Sequence, residues 1–171
     1  MINVVIILLK TFIQITFFRK SPADVPNSTP ILIIVSVIWY LIGLLNSITI
    51  NLDQEENFLF DLVLVSIGLI IYSLIINLFG YSERIIRCII AILGCSVIFS
   101  IILFVGQLVL SSMFANNGIR LMMQIIWLWS IPVEGYIIAH TINRQWVTGF
   151  LITIAVLFMQ LQFFALLKPI F

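Results

Sequence analysis

The sequence predicts an all-α membrane protein, a bundle of five transmembrane helices preceded by an N-terminal amphipathic interfacial helix. Of its 171 residues, 63% are hydrophobic and only 9% are charged, and the mean hydropathy is +1.26. A soluble domain carries about 25% charged residues, so this chain has too little charge to cover a water-facing surface. The apolar residues also fall into five stretches of bilayer-spanning length, each followed or preceded by a short polar turn.

The five spans follow from the positions of these stretches and turns. Asn, Gly and charged residues favour chain reversal, and they cluster at residues 51–57, 80–83, 115–118 and 143–145. Because none of these loops is long enough to fold as a soluble domain, residues 30–171 are expected to form one transmembrane domain. Its predicted spans cover about residues 30–50, 58–79, 85–110, 121–142 and 147–167.

Residues 1–29 are predicted to contain an interfacial helix and a connector. Asn3, Lys10 and Gln14 lie within about 40° of one another on a helical wheel at 100° per residue. This pattern is typical of a helix in the membrane interface, with Lys10 extending toward water. A sixth span is the alternative, but a lysine in mid-span costs about 2.5–3.5 kcal/mol on insertion scales. Three prolines within residues 21–30 predict an extended connector.

The distribution of lysine and arginine predicts the orientation of the chain. With five spans, six of the eight basic residues lie on one side of the membrane, and such an excess is typical of the cytoplasmic side. The N-terminus is therefore expected in the cytoplasm and the C-terminus outside. The net charge of +1 gives no indication of a nucleic-acid partner. The basic side contains Lys10, Arg19, Lys20, Arg84, Arg87 and Arg144, and the other side contains Arg120 and Lys168.

Three spans carry a narrow face of small and polar residues. Helix association in lipid depends on close packing and interhelical hydrogen bonds, so these faces are predicted to point into the bundle. A solvated cavity lined by the same faces is the alternative. The faces comprise Ser36, Tyr40, Gly43 and Ser47 in the first span, Ser66, Ser73 and Asn77 in the second, and Ser96, Ser100 and Gln107 in the third.

Glu134 is the principal candidate for a functional residue, because it lies well inside the fourth span. A carboxylate at that depth must be neutral, paired or hydrated. Pro132 cannot donate a backbone hydrogen bond, which frees a carbonyl one turn earlier, and Gly135 permits the close approach of another backbone. Glu134 is expected to bond either the freed carbonyl or a neighbouring helix. A proton or ligand site and a contact with a partner subunit are the alternatives.

Asp61 and His140 are the other candidates. Asp61 is one turn into the second span, where it is expected to meet headgroup water or the helix N-terminus. His140 lies about 120° around the helix from Glu134 and is interpreted as an interfacial anchor. One histidine and two separated cysteines, Cys88 and Cys95, do not supply the convergent ligands of a metal site. No catalytic residue, metal or cofactor is predicted.

Four stretches of the sequence together form a recognisable arrangement. They are Gly80-Tyr81-Ser82 with Arg84 and Arg87, residues 91–96, the stretch from Ile126-Trp127 through Gly135, His140 and Arg144, and residues 18–26. This arrangement resembles the Yip domain family, including its small bacterial relatives, which are five-span proteins with a cytoplasmic N-terminal part. The resemblance implies a non-enzymatic scaffold or interaction protein of a bacterial inner membrane.

Two functions are expected from these observations. The first is an accessory, scaffold or assembly subunit that binds partner subunits, or a second copy of itself, within the lipid bilayer. The second is a small transporter or proton-linked channel that uses Glu134 beside the Pro132 break, since interrupted helices often form transport sites. An enzyme is not expected, because no cluster of reactive side chains is present in the sequence.

Overall fold

The computed structural model describes residues 2–49, 58–110 and 116–167, and within these ranges the fold is all-α, as predicted. Short 3-10 turns occur at Pro22–Asp24 and Ser82–Arg84. The last five of the six helices are long and apolar enough to cross a membrane, so the architecture is that of a multi-pass membrane protein. The helices are α1 (Ile2–Thr16), α2 (Thr29–Thr49), α3 (Phe58–Leu78), α4 (Ile85–Leu110), α5 (Asn116–Thr141) and α6 (Trp146–Leu167).

The predicted span boundaries agree with the helices to within one residue, except at the start of α5. This helix begins at Asn116, five residues before the prediction, so most of the expected turn at 115–118 is helical. Asparagine and glycine are tolerated there because the first four N–H groups of a helix form no intrahelical hydrogen bonds. The predicted turn at 51–57 lies outside the described residues.

Helix α4 is the centre of the bundle and packs against α1, α2 and α5. After its first turn it is apolar apart from Ser96, Ser100 and Gln107, and an almost wholly apolar helix is typically surrounded by others. Cys88 and Cys95 are both buried and free, so they pack as small apolar residues and form no disulfide. The buried α4 side chains are Cys88, Ile90, Ala91, Ile92, Leu93, Cys95, Val97, Ile98 and Gln107.

Three helices end with the same backbone motif, in which a residue with positive φ follows the last turn. The residues are Phe18 (φ 58°) after α1, Gly80 (φ 81°) after α3 and Asn143 (φ 53°) after α5. In each case the next N–H bonds a carbonyl five residues back, for example Tyr81 N to Ile76 O at 3.1 Å, which satisfies an otherwise unpaired carbonyl. The turns after α3 and α5, together with Pro22–Asp24, form what we call the basic end of the bundle.

Helix α1 packs against α4. Its Phe12 ring lies against Gly94 of α4, at 2.5 Å from the position that a Cβ would occupy, and Trp129 Nε1 donates to Thr16 O at 3.3 Å. Gly94 is nine residues into α4, about 14 Å from its start. The described α1 is about 22 Å long at 1.5 Å per residue, which is less than the bilayer core of about 30 Å. Its interfacial position stays a prediction.

The prediction of an extended connector was wrong at its start. Residues Pro22–Asp24 form a 3-10 turn, and the Ser21 hydroxyl caps it by accepting from Ala23 N at 3.2 Å. Pro30 belongs to the first turn of α2, in agreement with the span that was predicted to begin at residue 30. Both positions suit proline, because its fixed φ fits the first turn of a helix, where its missing N–H is not needed.

The polar faces of α2 and α3 were predicted to point inward, and this was wrong for several residues. Ser66, Asn77, Tyr40 and Ser47 are exposed. The Ser66 hydroxyl is satisfied within its own helix, since it donates to Leu62 O at 2.7 Å, and it therefore requires no inward partner. The third face was predicted better. Ser96 lines a cavity, and the buried Gln107 donates to Thr49 O at 2.6 Å.

Candidate functional site: a polar cavity around Glu134

A cavity of about 220 Å³ lies between α2, α3, α4, α5 and α6. All five helices that are long enough to span a membrane contribute to its wall, so it is central to the bundle. Two tryptophans, Trp39 and Trp127, line it together with leucine and isoleucine side chains. Its polar lining residues are Tyr72, Ser96, Ser130, Glu134, Thr153 and Gln160.

Glu134 is held by a hydrogen bond from another helix. Tyr72 of α3 donates its hydroxyl hydrogen to Glu134 Oε2, with an oxygen–oxygen distance of 2.8 Å. The tyrosine is buried and the glutamate is half-buried. Seven residues separate Glu134 from the end of α5, which places it about 10 Å from the basic end along that helix. Of the two structural partners expected for Glu134, the structure shows the neighbouring helix.

Two further polar groups of α6 line the cavity. Gln160 Nε2 donates to Leu64 O at 3.0 Å, and its amide fits against Gly68 because glycine has no side chain there. The buried Thr153 hydroxyl lies beside the Tyr72 hydroxyl but does not meet the geometry of a full hydrogen bond. Thr153 is therefore able to bond a small molecule in the cavity.

Close packing of α5 and α6 forms the wall behind Glu134. A Cβ on Gly135 would lie 2.8 Å from Phe150 Cα, and a Cβ on Gly149 would lie 2.6 Å from Ala139 N. The expectation that Gly135 permits a backbone approach is confirmed. Pro132 lies inside α5, and the helix continues on both sides of it. Pro132 is half-buried two residues before Glu134 and does not line the cavity.

The structure does not bring the other two candidates to this cavity. Asp61 is exposed in the first turn of α3, about three turns before Tyr72 in that helix. His140 is exposed in the last turn of α5, where its Nδ1 is 3.0 Å from Tyr136 O and its ring lies 4.1 Å from the Tyr136 ring. Among the described residues, no group of three His, Cys, Asp or Glu side chains could bind a metal ion.

Sequence reasoning missed Tyr72, Thr153 and Gln160. A signal for the first was available, because Gly68 and Tyr72 are four residues apart and so share one face of α3. Gln160 is one of few amides within the last span. Neither pattern identifies the partner, since the pairing of α3 with α5 and α6 is set by tertiary packing.

Comparisons with known proteins gave no relative for this chain: no family model, no curated protein and no solved structure matches it. The resemblance to the Yip domain family therefore stays a prediction.

Proposed function

We propose that this protein is a small transporter or proton-linked channel, in which Glu134 binds a proton or a small cation within the membrane. The observation that carries the proposal is the central cavity, in which an acidic side chain accepts a hydrogen bond from a tyrosine hydroxyl. Several neutral side chains that contain oxygen atoms line the same cavity. An ionisable side chain inside a membrane is costly to maintain, and such residues commonly mark ion pathways and proton relays.

The chemistry of the cavity suits a small cation or a proton. Among the described residues, its lining contains Glu134 and no lysine, arginine or histidine, so an ionised carboxylate there has no positively charged partner in that part of the wall. Oxygen atoms of Ser96, Ser130 and Thr153 are also available, and oxygen is the ligand type that hard cations prefer. A space of about 220 Å³ that polar groups line in part has room for several water molecules.

The proposal is tested by flux through purified protein in liposomes. The liposomes contain a pH-sensitive dye, and a proton gradient is imposed with sodium or potassium present on one side. Wild-type protein is expected to dissipate the gradient faster than protein-free liposomes. Glu134→Gln removes the ionisable group and keeps the shape, so it should abolish the flux while the protein remains folded.

A matched control is Ser66→Ala, which removes an exposed hydroxyl of α3 that bonds only to its own helix. Its flux should equal that of the wild-type protein. Two results would rule out the proposal. One is a flux that Glu134→Gln leaves unchanged, and the other is a wild-type flux that is no greater than that of protein-free liposomes with any of these ions.

A second candidate is an accessory or scaffold subunit that binds a helix of a partner protein. It is favoured by an open groove of about 360 Å³ between α3 and α4, which includes Ser73 and the exposed Asn77. In lipid, such polar side chains form interhelical hydrogen bonds. Purification in mild detergent should then recover a partner or a dimer that Asn77→Leu weakens. A monomer without any partner would count against this function.

The location proposed for either function is a bacterial inner membrane, with the N-terminus in the cytoplasm. The support is the six-to-two distribution of lysine and arginine together with the resemblance to small bacterial Yip-like proteins. The basic end of the bundle would then face the cytoplasm.

A further inference from the structure

A second cavity, of about 310 Å³, lies at the basic end of the bundle. It is separate from the Glu134 cavity and shares no lining residue with it. Three chain segments meet there: the 3-10 turn before α2, the start of α4 and the end of α5. Its lining residues are Ser21, Pro22, Ala23, Arg84, Arg87, His140, Thr141 and Asn143.

The charge of this pocket is positive. Arg84 is fixed in place, because its Nη1 donates to Thr141 O at 3.1 Å and its Cζ lies 4.5 Å from the centre of the Tyr81 ring. Its nearest acid is the exposed Glu83, whose Oε1 is 3.7 Å from Arg84 Nε. Asp24 follows the lining residues on the 3-10 turn and is also exposed, and no ion pair joins it to either arginine among the described residues.

Arg87 has an unmet hydrogen-bonding requirement. Its Nε is buried and has no hydrogen-bond partner among the described residues, although a guanidinium has five N–H donors. Leaving a buried donor of a charged group unpaired is costly. Arg84 is engaged by the protein, whereas Arg87 lines the pocket and has no ion pair and no partner for its Nε among the described residues. The pocket therefore contains a guanidinium that is available to a ligand.

The remaining lining groups also suit an anion. His140 Nδ1 is placed to donate to Tyr136 O at 3.0 Å, which leaves Nε2 as the ring atom for another partner. The side chains of Ser21, Thr141 and Asn143 add neutral hydrogen-bonding groups. The pocket is formed by the first turn of one span and the last turn of another, the level at which lipid headgroups lie.

We propose that this pocket binds a phosphate group, with Arg87 as its main charged donor. Arginine presents parallel N–H groups that match phosphate oxygens in pairs, and basic pockets between transmembrane helices commonly bind anionic headgroups. The phosphate belongs either to an anionic phospholipid or to a soluble phosphate compound. The site is independent of the function proposed for Glu134.

The test compares lipid binding by the full-length protein in mixed micelles, read by native mass spectrometry. The probes are phosphatidylglycerol, phosphatidylcholine of the same chain length and inorganic phosphate, the last measured against chloride at equal ionic strength. Arg87→Gln should weaken phosphatidylglycerol binding by about tenfold or more, as the loss of a charge-assisted hydrogen bond predicts. Arg144→Gln is the matched control, because Arg144 is an exposed residue near the same end that does not line the pocket.

The control should weaken binding by at most about fivefold, the general effect of one basic residue near an anionic surface. Inorganic phosphate that binds alone and displaces the lipid would indicate a soluble ligand, whereas failure to displace it would indicate a headgroup. Three results would overturn the proposal. The first is that Arg87→Gln and Arg144→Gln weaken phosphatidylglycerol binding equally, and the second is that the wild-type protein binds phosphatidylcholine as tightly as phosphatidylglycerol. The third is that no probe binds.

A second measurement uses only the wild-type protein, so it does not depend on the folding of a variant. Phosphatidylglycerol that carries a photoreactive group on its headgroup is crosslinked to the protein, and the modified peptides are identified. Modification is expected within residues 84–87 or 140–143. Modification confined to other parts of the chain would contradict the proposed site.

Discussion

The hydrogen bond between Tyr72 and Glu134 gives the sharpest prediction about stability. The two side chains belong to α3 and α5, and the bond is 2.8 Å long, so it links two spans that otherwise have few contacts with each other. Interhelical hydrogen bonds in membrane proteins contribute about 0.6 kcal/mol on average and about 1.7 kcal/mol at most. Glu134→Leu and Tyr72→Phe should therefore be coupled by about 0.6–1.7 kcal/mol in a double-mutant cycle.

The measurement is the free energy of unfolding in mixed detergent micelles for the wild type, both single variants and the double variant. Glu134→Gln keeps an oxygen acceptor for Tyr72 and should change stability little. Glu134→Lys should be the most destabilising variant, because no other acid among the described residues lines the cavity and could pair with an ammonium group. As a control, Ser66→Ala should show no coupling with Glu134→Leu, since Ser66 bonds only to Leu62 O of its own helix. A Tyr72–Glu134 coupling energy of zero would refute the geometry of the site.

Three further predictions concern packing and orientation. Gly135→Ala should destabilise the fold by about 1–3 kcal/mol, because its Cβ would meet the α6 backbone. Gly106→Ala should destabilise it less, because its Cβ would meet only the end of a flexible methionine side chain. Thermal melting of both variants checks this, and an equal loss of stability in the two would contradict it. Gln107→Leu should lower the free energy of unfolding by about 0.6–1.7 kcal/mol, because it removes the hydrogen bond to α2. A free energy of unfolding in chemical denaturant equal to that of the wild type would contradict this. In a background without the native cysteines, an impermeant thiol reagent should label position 120 but not position 82 of intact cells, and the reverse pattern would invert the predicted orientation.

The spans and their order could be predicted because membrane insertion depends on apolar length and turn composition, which are local properties. The same holds for Gly80, whose positive φ ends α3 as the turn prediction requires. The start of α5 was misplaced because Asn116 also suits the first turn of a helix. Composition alone does not separate these two uses of asparagine.

The candidate site was predictable only in part. Glu134 was identified because a carboxyl group in an apolar span is rare and costly. Its partner Tyr72 was not, since the pairing depends on how α3 lies against α5. The outward position of Ser66 also could not be predicted, because a serine hydroxyl in a helix can bond its own backbone and then tolerates either face.

The central claim, that Glu134 is a reachable carboxyl group in an intramembrane cavity, is tested most directly by chemical modification. A hydrophobic carbodiimide reacts with carboxylic acids in apolar surroundings, and peptide mass spectrometry locates the product. The folded protein is expected to be modified at Glu134, Glu134→Gln should lose this product, and Ser66→Ala should retain it. If Glu134 stays unmodified in the folded protein and reacts only after unfolding, it is not reachable from the cavity, which would contradict the claim.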